Sequence, residues 1–314
     1  MIYVYTESNE RKYKKASLEA VSYAKTIANL ANDSVTAISI NTDNPETLFK
    51  YGAEKVLQIE NDGLNKFSAN NLADLVSELA NGGVIVFPHT NEASSVASLV
   101  AVKKEASIIT NVLEAPTSLQ PFIVKRKAFS GKGKMIVSTE NKNVIITVLQ
   151  NAFGLKENPV SGTVENVNPT ISSSNVTVEN VEKSTGKLDL KEAEIVVSAG
   201  RGMKGPENWG MIEEMAEILG AATACSKPVS DIGWRSHSEH VGQTGKAIAP
   251  NLYIAIGVSG AIQHLAGVNG SKNIVVINSD PEAPFFKSAD YGIVGDAFEI
   301  VPKLNEAFRK FKNH

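Results

Sequence analysis

Apolar and polar positions along this chain alternate between the two-residue rhythm of strands and the three-to-four-residue rhythm of helices. Ile2-Tyr-Val-Tyr5 reads as a strand, and residues Ala16 to Leu30 as a helix with Leu18, Val21, Ala24, Ile27 and Leu30 on one face. A strand over Val35–Ile40 follows, then a short helix over Glu46–Tyr51, a strand over Lys55–Ile59 and a helix over Asn71–Leu79. Gly83-Val-Ile-Val-Phe87 is a buried strand, and a helix spans Ser94 to Glu105. Strand and helix in turn imply a parallel sheet covered on both faces. The pattern then changes to strand-like runs over 122–129, 134–139 and 143–149, parted by short turns such as Ser130-Gly-Lys-Gly133. These read as antiparallel additions to the sheet. Residues 155–190 are poor in aromatics and rich in Asn, Ser, Thr, Val and Glu, which predicts an extended connector with one strand over Asn175–Val181. A domain boundary is expected near residue 188, giving domains 1–188 and 189–314.

A second alternating series begins at Ala193-Glu-Ile-Val-Val-Ser-Ala-Gly-Arg-Gly202, a strand running into a glycine-rich turn. A helix is expected from Trp209 to Leu219, with Ile212, Met215, Ala216 and Leu219 as its apolar stripe. Strands follow over Ala221–Cys225, Leu252–Gly257 and Asn273–Ile277, and a last helix over Val301–Phe311. The fold class is therefore α/β, with two doubly wound parallel-sheet domains.

Within the second series, Leu252-Tyr-Ile-Ala-Ile-Gly-Val-Ser-Gly-Ala-Ile-Gln-His-Leu-Ala-Gly267 carries the most chemistry. A buried strand breaks at Gly257-Val-Ser-Gly260 and resumes as a helix, with Ser259 a candidate N-cap. Free backbone N–H groups and the positive end of a helix make such a turn an anion site, here one suited to a dinucleotide pyrophosphate. Every polar or glycine-rich group of this domain follows a strand: Gly200-Arg-Gly202, Ser226-Lys227, Ser259 to His264, and Asn278 to Asp280. A parallel sheet gathers such groups along its carboxyl edge.

Flanking this stretch are His240-Val-Gly-Gln-Thr-Gly-Lys-Ala-Ile-Ala-Pro250, Ile274-Val-Val-Ile-Asn-Ser-Asp-Pro-Glu-Ala-Pro284 and Ala289-Asp-Tyr-Gly-Ile-Val-Gly-Asp296. Together these motifs closely resemble the Rossmann-like FAD-binding domain of the electron transfer flavoprotein alpha subunit, densely over residues 190–314 and more loosely before them. The resemblance implies FAD as cofactor and assigns roles. Arg201 would lie near the adenosine and phosphate end, and Ser226 near the diphosphate. Ser259 and the amides of Gly260, Ala261 and Ile262 would hold the diphosphate. Asn278 and Asp296, with Ala297 beside it, would fix the adenosine, although Asp296 reads equally as a helix N-cap. Val241, Gly242, Gln243 and Thr244 would border the flavin, with the threonine hydroxyl at N5. Gln263 and His264 would complete the site, the histidine donating to the flavin C2 carbonyl. One departure stands out: Ser226-Lys-Pro228 replaces the family's Ser-Arg-Pro. Lys227 keeps the charge but loses the planar guanidinium, and Arg235 or His240 could partly substitute.

The same resemblance implies a heterodimer with an electron transfer flavoprotein beta subunit, docked by the N-terminal domain. Electrons would arrive from flavin dehydrogenases, typically acyl-CoA dehydrogenases of fatty acid beta-oxidation, and leave singly to a quinone oxidoreductase. An electron-bifurcating complex with a second FAD in the beta chain is an alternative. A nicotinamide-dependent dehydrogenase is a weaker one, because Ser198-Ala-Gly-Arg-Gly-Met-Lys-Gly205 matches the Gly-x-Gly-x-x-Gly fingerprint poorly and no substrate-facing acid or base stands out.

Composition narrows these readings only slightly. The 314 residues carry a net charge of −3, which gives no drive toward nucleic acid or anionic membranes. The one cysteine, Cys225, excludes an internal disulfide and reads as a buried, inert thiol. No Cys/His cluster or HExxH spacing suggests a metal. No run reaches the length of a membrane span, and no secretory or transit segment is legible before the first strand, so a bacterial-type cytoplasm is expected.

Overall fold

A computed structural model describes residues 1–129, 133–171, 176, 178–181 and 189–312. The chain divides into two compact units, 1–183 without 130–132, and 184–314 with 130–132. The divide and the boundary expected near residue 188 both lie outside the described residues.

In the first unit, strand β1 (Ile2–Tyr5) is followed by a small antiparallel pair, β2 (Ser8–Asn9) and β3 (Lys12–Tyr13), and by helix α1 (Lys15–Ala31). Then come β4 (Val35–Ile40), β5 (Lys55–Ile59), α2 (Ala69–Leu79), β6 (Val84–Pro88), α3 (Asn91–Lys103) and β7 (Ser107–Val112). The remaining strands are β8 (Ser118–Leu119), β9 (Phe122–Ala128), β10 (Gly133–Thr139), β11 (Val144–Val148) and β12 (Thr163–Asn166). The sheet order is β10-β9-β7-β11-β6-β1-β4-β5-β12, with β8 on β9. Its centre is parallel, and α1 covers one face while α2 and α3 cover the other. The caps are legible in the sequence: the Ser68 and Thr90 hydroxyls accept the Asn71 and Ala93 N–H groups at the starts of α2 and α3.

Three expectations change here. The run at 143–149 is not an antiparallel addition, because β11 pairs parallel with both β6 and β7 deep in the sheet, with all five residues buried. Within this large sheet the antiparallel pairings are those of β9 with β7, β8 and β10. The Glu46–Tyr51 helix is a 3₁₀ helix over Pro45–Tyr51. The connector strand sits earlier than expected, as β12 on the edge beside β5. The strand expected over 175–181 falls partly outside the described residues, and Val176 and 178–181 carry no strand.

The second unit is a five-stranded parallel sheet, β13 (Ile195–Ala199), β14 (Ala222–Cys225), β15 (Leu252–Ile256), β16 (Asn273–Asn278) and β17 (Tyr291–Val294), in the order β14-β13-β15-β16-β17. Helices α4 (Gly210–Leu219) and α7 (Ala297–Lys312) pack with the short α5 (Lys227–Asp231) on one face. The short α6 (Ile262–Val268) and the Tyr253–Phe285 cluster cover the other. β17 was not legible as a strand, because it is only four residues long, contains a glycine, and has three of its four residues exposed at the sheet edge. In this order the chain reverses direction between β13 and β15, the switch point at which open α/β sheets bind ligands.

Candidate functional site

The turns after β13 and β15 meet backbone to backbone at the switch point. Gly200 N–H donates to the Ile256 carbonyl at 2.9 Å and Gly202 N–H to the Gly257 carbonyl at 3.1 Å. A Cβ on Gly200 would fall 2.3 Å from the Gly257 oxygen, and one on Gly202 would fall 2.7 Å from the Gly257 Cα. Gly257 itself holds φ +61°. The glycines are there because no side chain fits between the two turns.

This contact floors a cavity of about 600 Å³, within the usual range for small-molecule sites. Its walls include Arg201, Ser226, Lys227, Val241, Gly242, Gln243, Thr244, Ser259, Ala261, Gln263, His264 and Asn278. Twelve sequence-predicted residues, from four separate β–α turns and the 240–246 loop, thus converge on one space. Four others do not line it. Gly260, at φ +80°, is pressed on the Phe285 backbone, and a Cβ there would come within 2.5 Å. Ile262 is exposed. Asp296 accepts the Phe298 N–H at 3.0 Å, lies 3.9 Å from Lys204 Nζ, and sits with Ala297 at the start of α7. The N-cap reading of Asp296 therefore describes its contacts. Gly202, Pro228, His240, Gly257, Val258, Asp280, Ala283 and Pro284 also line the cavity; of these the sequence pointed to Gly202 and Asp280 only as members of their turns and to His240 only as a substitute for the arginine. The Asp-Pro-Glu-Ala-Pro segment was legible as a motif, and its place directly after the Asn278 turn was the available signal.

Local details refine the expected roles. Ser259 is not the cap of α6, because the helix starts late and Ala261 occupies the N-cap with no side-chain bond. Ser226 is the N-cap residue of α5, yet its hydroxyl makes no capping bond. Lys227 is exposed on the cavity side. Asn278 is already engaged at both ends of its amide: Nδ2 donates to the Val258 carbonyl at 3.0 Å and Oδ1 accepts the Asp280 N–H at 3.0 Å. It ties the turns after β15 and β16 together.

The 240–246 loop docks on α6. Gln243 N–H donates to the Gln263 carbonyl at 2.7 Å, and Ile248 N–H to the Gly267 carbonyl at 2.8 Å. Gly267 allows this approach, since a Cβ there would lie 2.5 Å from the Gly242 nitrogen. Arg235, a candidate substitute for the missing arginine, is committed elsewhere. It makes a bidentate pair with Glu239 at 2.9 and 3.0 Å, reaches Glu213 at 2.7 Å, and stacks over Trp209. Arg235 is absent from the cavity lining, whereas His240 is part of it.

His264 is 7% exposed, and its Nε2 shares a 2.7 Å hydrogen bond with the buried Tyr253 hydroxyl. Burial, helped by His240, pushes its pKa down to about 4, so the ring is neutral near pH 7. A Val241 backbone group opposes that shift, yet Nδ1 is buried with no hydrogen-bond partner. A neutral imidazole carries one proton. If Tyr253 donates to Nε2, Nδ1 holds the proton and is a donor awaiting an acceptor. An orphaned buried nitrogen on a cavity wall, two cations and a glycine-lined floor fit a large polar anionic group such as FAD. Cys225 is buried and its thiol is pushed up to about 12, chiefly by burial, which makes it unreactive. Among the described residues no group of three or more His, Cys, Asp or Glu could hold a metal ion, and no helix is long and apolar enough to cross a membrane.

Comparison with known proteins agrees with this geometry. Residues 189–269 match the model of the electron transfer flavoprotein FAD-binding domain, and residues 2–172 that of the electron transfer flavoprotein domain. The chain is 34% identical to the electron transfer flavoprotein subunit alpha of Bacillus subtilis, covering 100% of this chain and 98% of that protein. It is 35% identical to the subunit alpha of Pseudomonas aeruginosa, over 98% and 99%. It is 30% identical to the protein FixB of Clostridium saccharobutylicum, over 96% and 94%. The chain belongs to the alpha subunits of the electron transfer flavoproteins, FAD-containing electron carriers whose alpha chain has a beta chain as partner.

Proposed function

We propose that this chain carries FAD in the cavity of its second unit, pairs through its N-terminal domain with a beta subunit, and relays electrons from flavin dehydrogenases, acyl-CoA dehydrogenases foremost, to a quinone oxidoreductase in a bacterial-type cytoplasm. Residues 189–314 form the FAD-binding domain in this reading and residues 1–188 the docking domain. The observation that carries it is the convergence of twelve expected residues on one cavity at the sheet's switch point. When bound, FAD supplies reversible one- and two-electron chemistry.

The protein's part is to bind, orient and bias. Arg201 and the amides of the Ser259–Ile262 turn hold the diphosphate, with the Ser226 hydroxyl beside it. Gly260 and Ile262 contribute backbone only. Asn278 keeps the adenosine end in shape by fixing two turns to each other. Gln243 and Thr244 offer their side chains to the ring system from a loop held by α6. Lys227 places a positive charge over the cavity, and His264 offers the proton on Nδ1. Asp296 and Ala297 support the adenosine end only from the start of α7.

The test is co-expression with a beta subunit, followed by counting flavin per heterodimer and titrating it with a reduced acyl-CoA dehydrogenase. One FAD per heterodimer, reduced by that donor, is the expected result. Two flavins per heterodimer would favour the bifurcating alternative, and a nicotinamide-bound protein would overturn the reading.

A further inference from the structure

We propose that His240 is a proton acceptor coupled to the redox state of the cavity: the first electron taken up there draws one proton from solvent onto its imidazole. The inference rests on the reading that the cavity holds FAD. Its ground is the way the 240–246 loop is built. The loop that presents Gln243 and Thr244 is folded around the His240 ring. A Cβ on Gly245 would lie 2.8 Å from His240 Cγ and Nδ1, and one on Gly242 would lie 3.2 Å from its Nε2. Gly245 is thus needed to let the turn close over the imidazole, and Gly242, at φ +154°, brings a second close approach to it. The backbone of His240 is fixed as well: its carbonyl accepts the Lys246 N–H at 2.8 Å, and the Val241 N–H reaches Cys225 at 3.1 Å. The residue is 7% exposed and lines the cavity. No hydrogen bond to another described residue occupies either ring nitrogen. A fixed, buried and uncommitted imidazole on the wall of a redox cavity has little to respond to except the charge of what the cavity contains.

The charged surroundings set the direction of that response. Lys227 and Asp231 of α5, His237 of the preceding turn and His264 of α6 are the titratable groups acting on it. Lys246, whose backbone touches it, turns its ammonium toward Asp189 at 3.8 Å. Burial first, then Lys227 and His237, hold the His240 pKa below the usual histidine value, against Asp231. With an uncharged ring system in the cavity, His240 is therefore neutral near pH 7. A negative charge entering that space favours the imidazolium and raises the pKa. The step balances simply. A dehydrogenase donor gives one electron to FAD, water gives one proton to a ring nitrogen of His240, and no bond to the flavin forms or breaks. Reoxidation returns both. Lys227 supplies a permanent charge; His240 supplies one that follows the electron.

The experiment is a potentiometric titration of the FAD-loaded heterodimer between pH 6 and 8, for wild type and His240→Gln. It is paired with NMR titration of the His240 and His264 rings in oxidised and reduced wild-type protein, which needs no variant. Wild type should lose potential with rising pH more steeply than His240→Gln, by at most about 59 mV for each tenfold fall in proton concentration. The His240 pKa should rise on reduction from below pH 7 to above it. Equal slopes in the two proteins, or a His240 titration unmoved by reduction while His264 moves, would overturn the proposal. If His240→Gln loses its flavin, the wild-type NMR comparison decides. A wild-type heterodimer that binds no FAD defeats the underlying reading instead, which the flavin count reveals before any titration.

Discussion

Single side chains on this cavity differ in whether they bind or bias. Thr244 is exposed on the loop and its hydroxyl is one hydrogen bond in reach of the cavity. Thr244→Val should therefore leave FAD bound, because the diphosphate contacts remain, and shift the flavin potential by the equivalent of one hydrogen bond, roughly 0.5–1.5 kcal/mol. Unchanged potentials in a spectroelectrochemical titration would show that this loop does not face the flavin. Lys227 is the larger lever. At about 4 Å and an effective dielectric near 20, a unit charge is worth roughly 4 kcal/mol to a nearby anion, less where water screens it as here. Lys227→Ala should lower the first reduction potential by tens of millivolts, while Lys227→Arg, which keeps the charge, should change it less. The sign for His264 is separate. Its folded pKa near 4 lies below the ordinary 6.5. The unfolded chain thus binds more protons between those values, and stability is full above about pH 6.5 and lost as pH falls toward 4, by at most about 1.4 kcal/mol per unit. Urea denaturation at pH 5 and pH 7, followed by tryptophan fluorescence of the second unit, measures it.

Elements hold these side chains through contacts that tolerate little change. Gly202→Ala forces a Cβ to 2.7 Å from the Gly257 Cα, so the turns after β13 and β15 must part. Lower FAD affinity is the expected outcome, read by the flavin retained on gel filtration. In the first unit, buried Glu19 of α1 accepts the N–H groups of Asn151, Phe153 and Gly154 at 2.8, 2.9 and 2.7 Å. Burial nonetheless raises its pKa. The carboxylate staples α1 to the segment after β11, and Glu19→Ala leaves three donors without it. A loss on the order of 2–4 kcal/mol is expected from urea denaturation of the whole chain.

At the scale of the molecule, the cavity lies within the second unit, and the first unit is a sheet with a covered core. In the proposed docking role of that first unit, the chain expressed alone should be poorly soluble or lose its flavin, and co-expression with a beta subunit should restore a yellow complex. A stable, flavin-saturated monomer by light scattering would remove the docking role.

The sequence alone determined the α/β class, the order of most strands and the four turns that carry polar groups, because strand burial, helix periodicity and cap residues are local properties written in neighbouring positions. The resemblance of Gly242-Gln-Thr-Gly245 and the Leu252–Gly267 stretch to one family fixed the cofactor class for the same reason. Only the tertiary structure decided the rest. It made β11 a central parallel strand, although its residues read equally well as an antiparallel addition, because pairing depends on distant partners and not on the run itself. It placed β17 at an edge where little burial is required of it. It showed Arg235 held by Glu213 and Glu239 instead of facing the cavity, and it put Asp296 at a helix start. Most of all, it folded a loop around His240, which the sequence offered only as one of two substitutes for the missing arginine. Its place on the cavity wall follows from strands, helix and loop meeting in space, and no local pattern encodes that meeting.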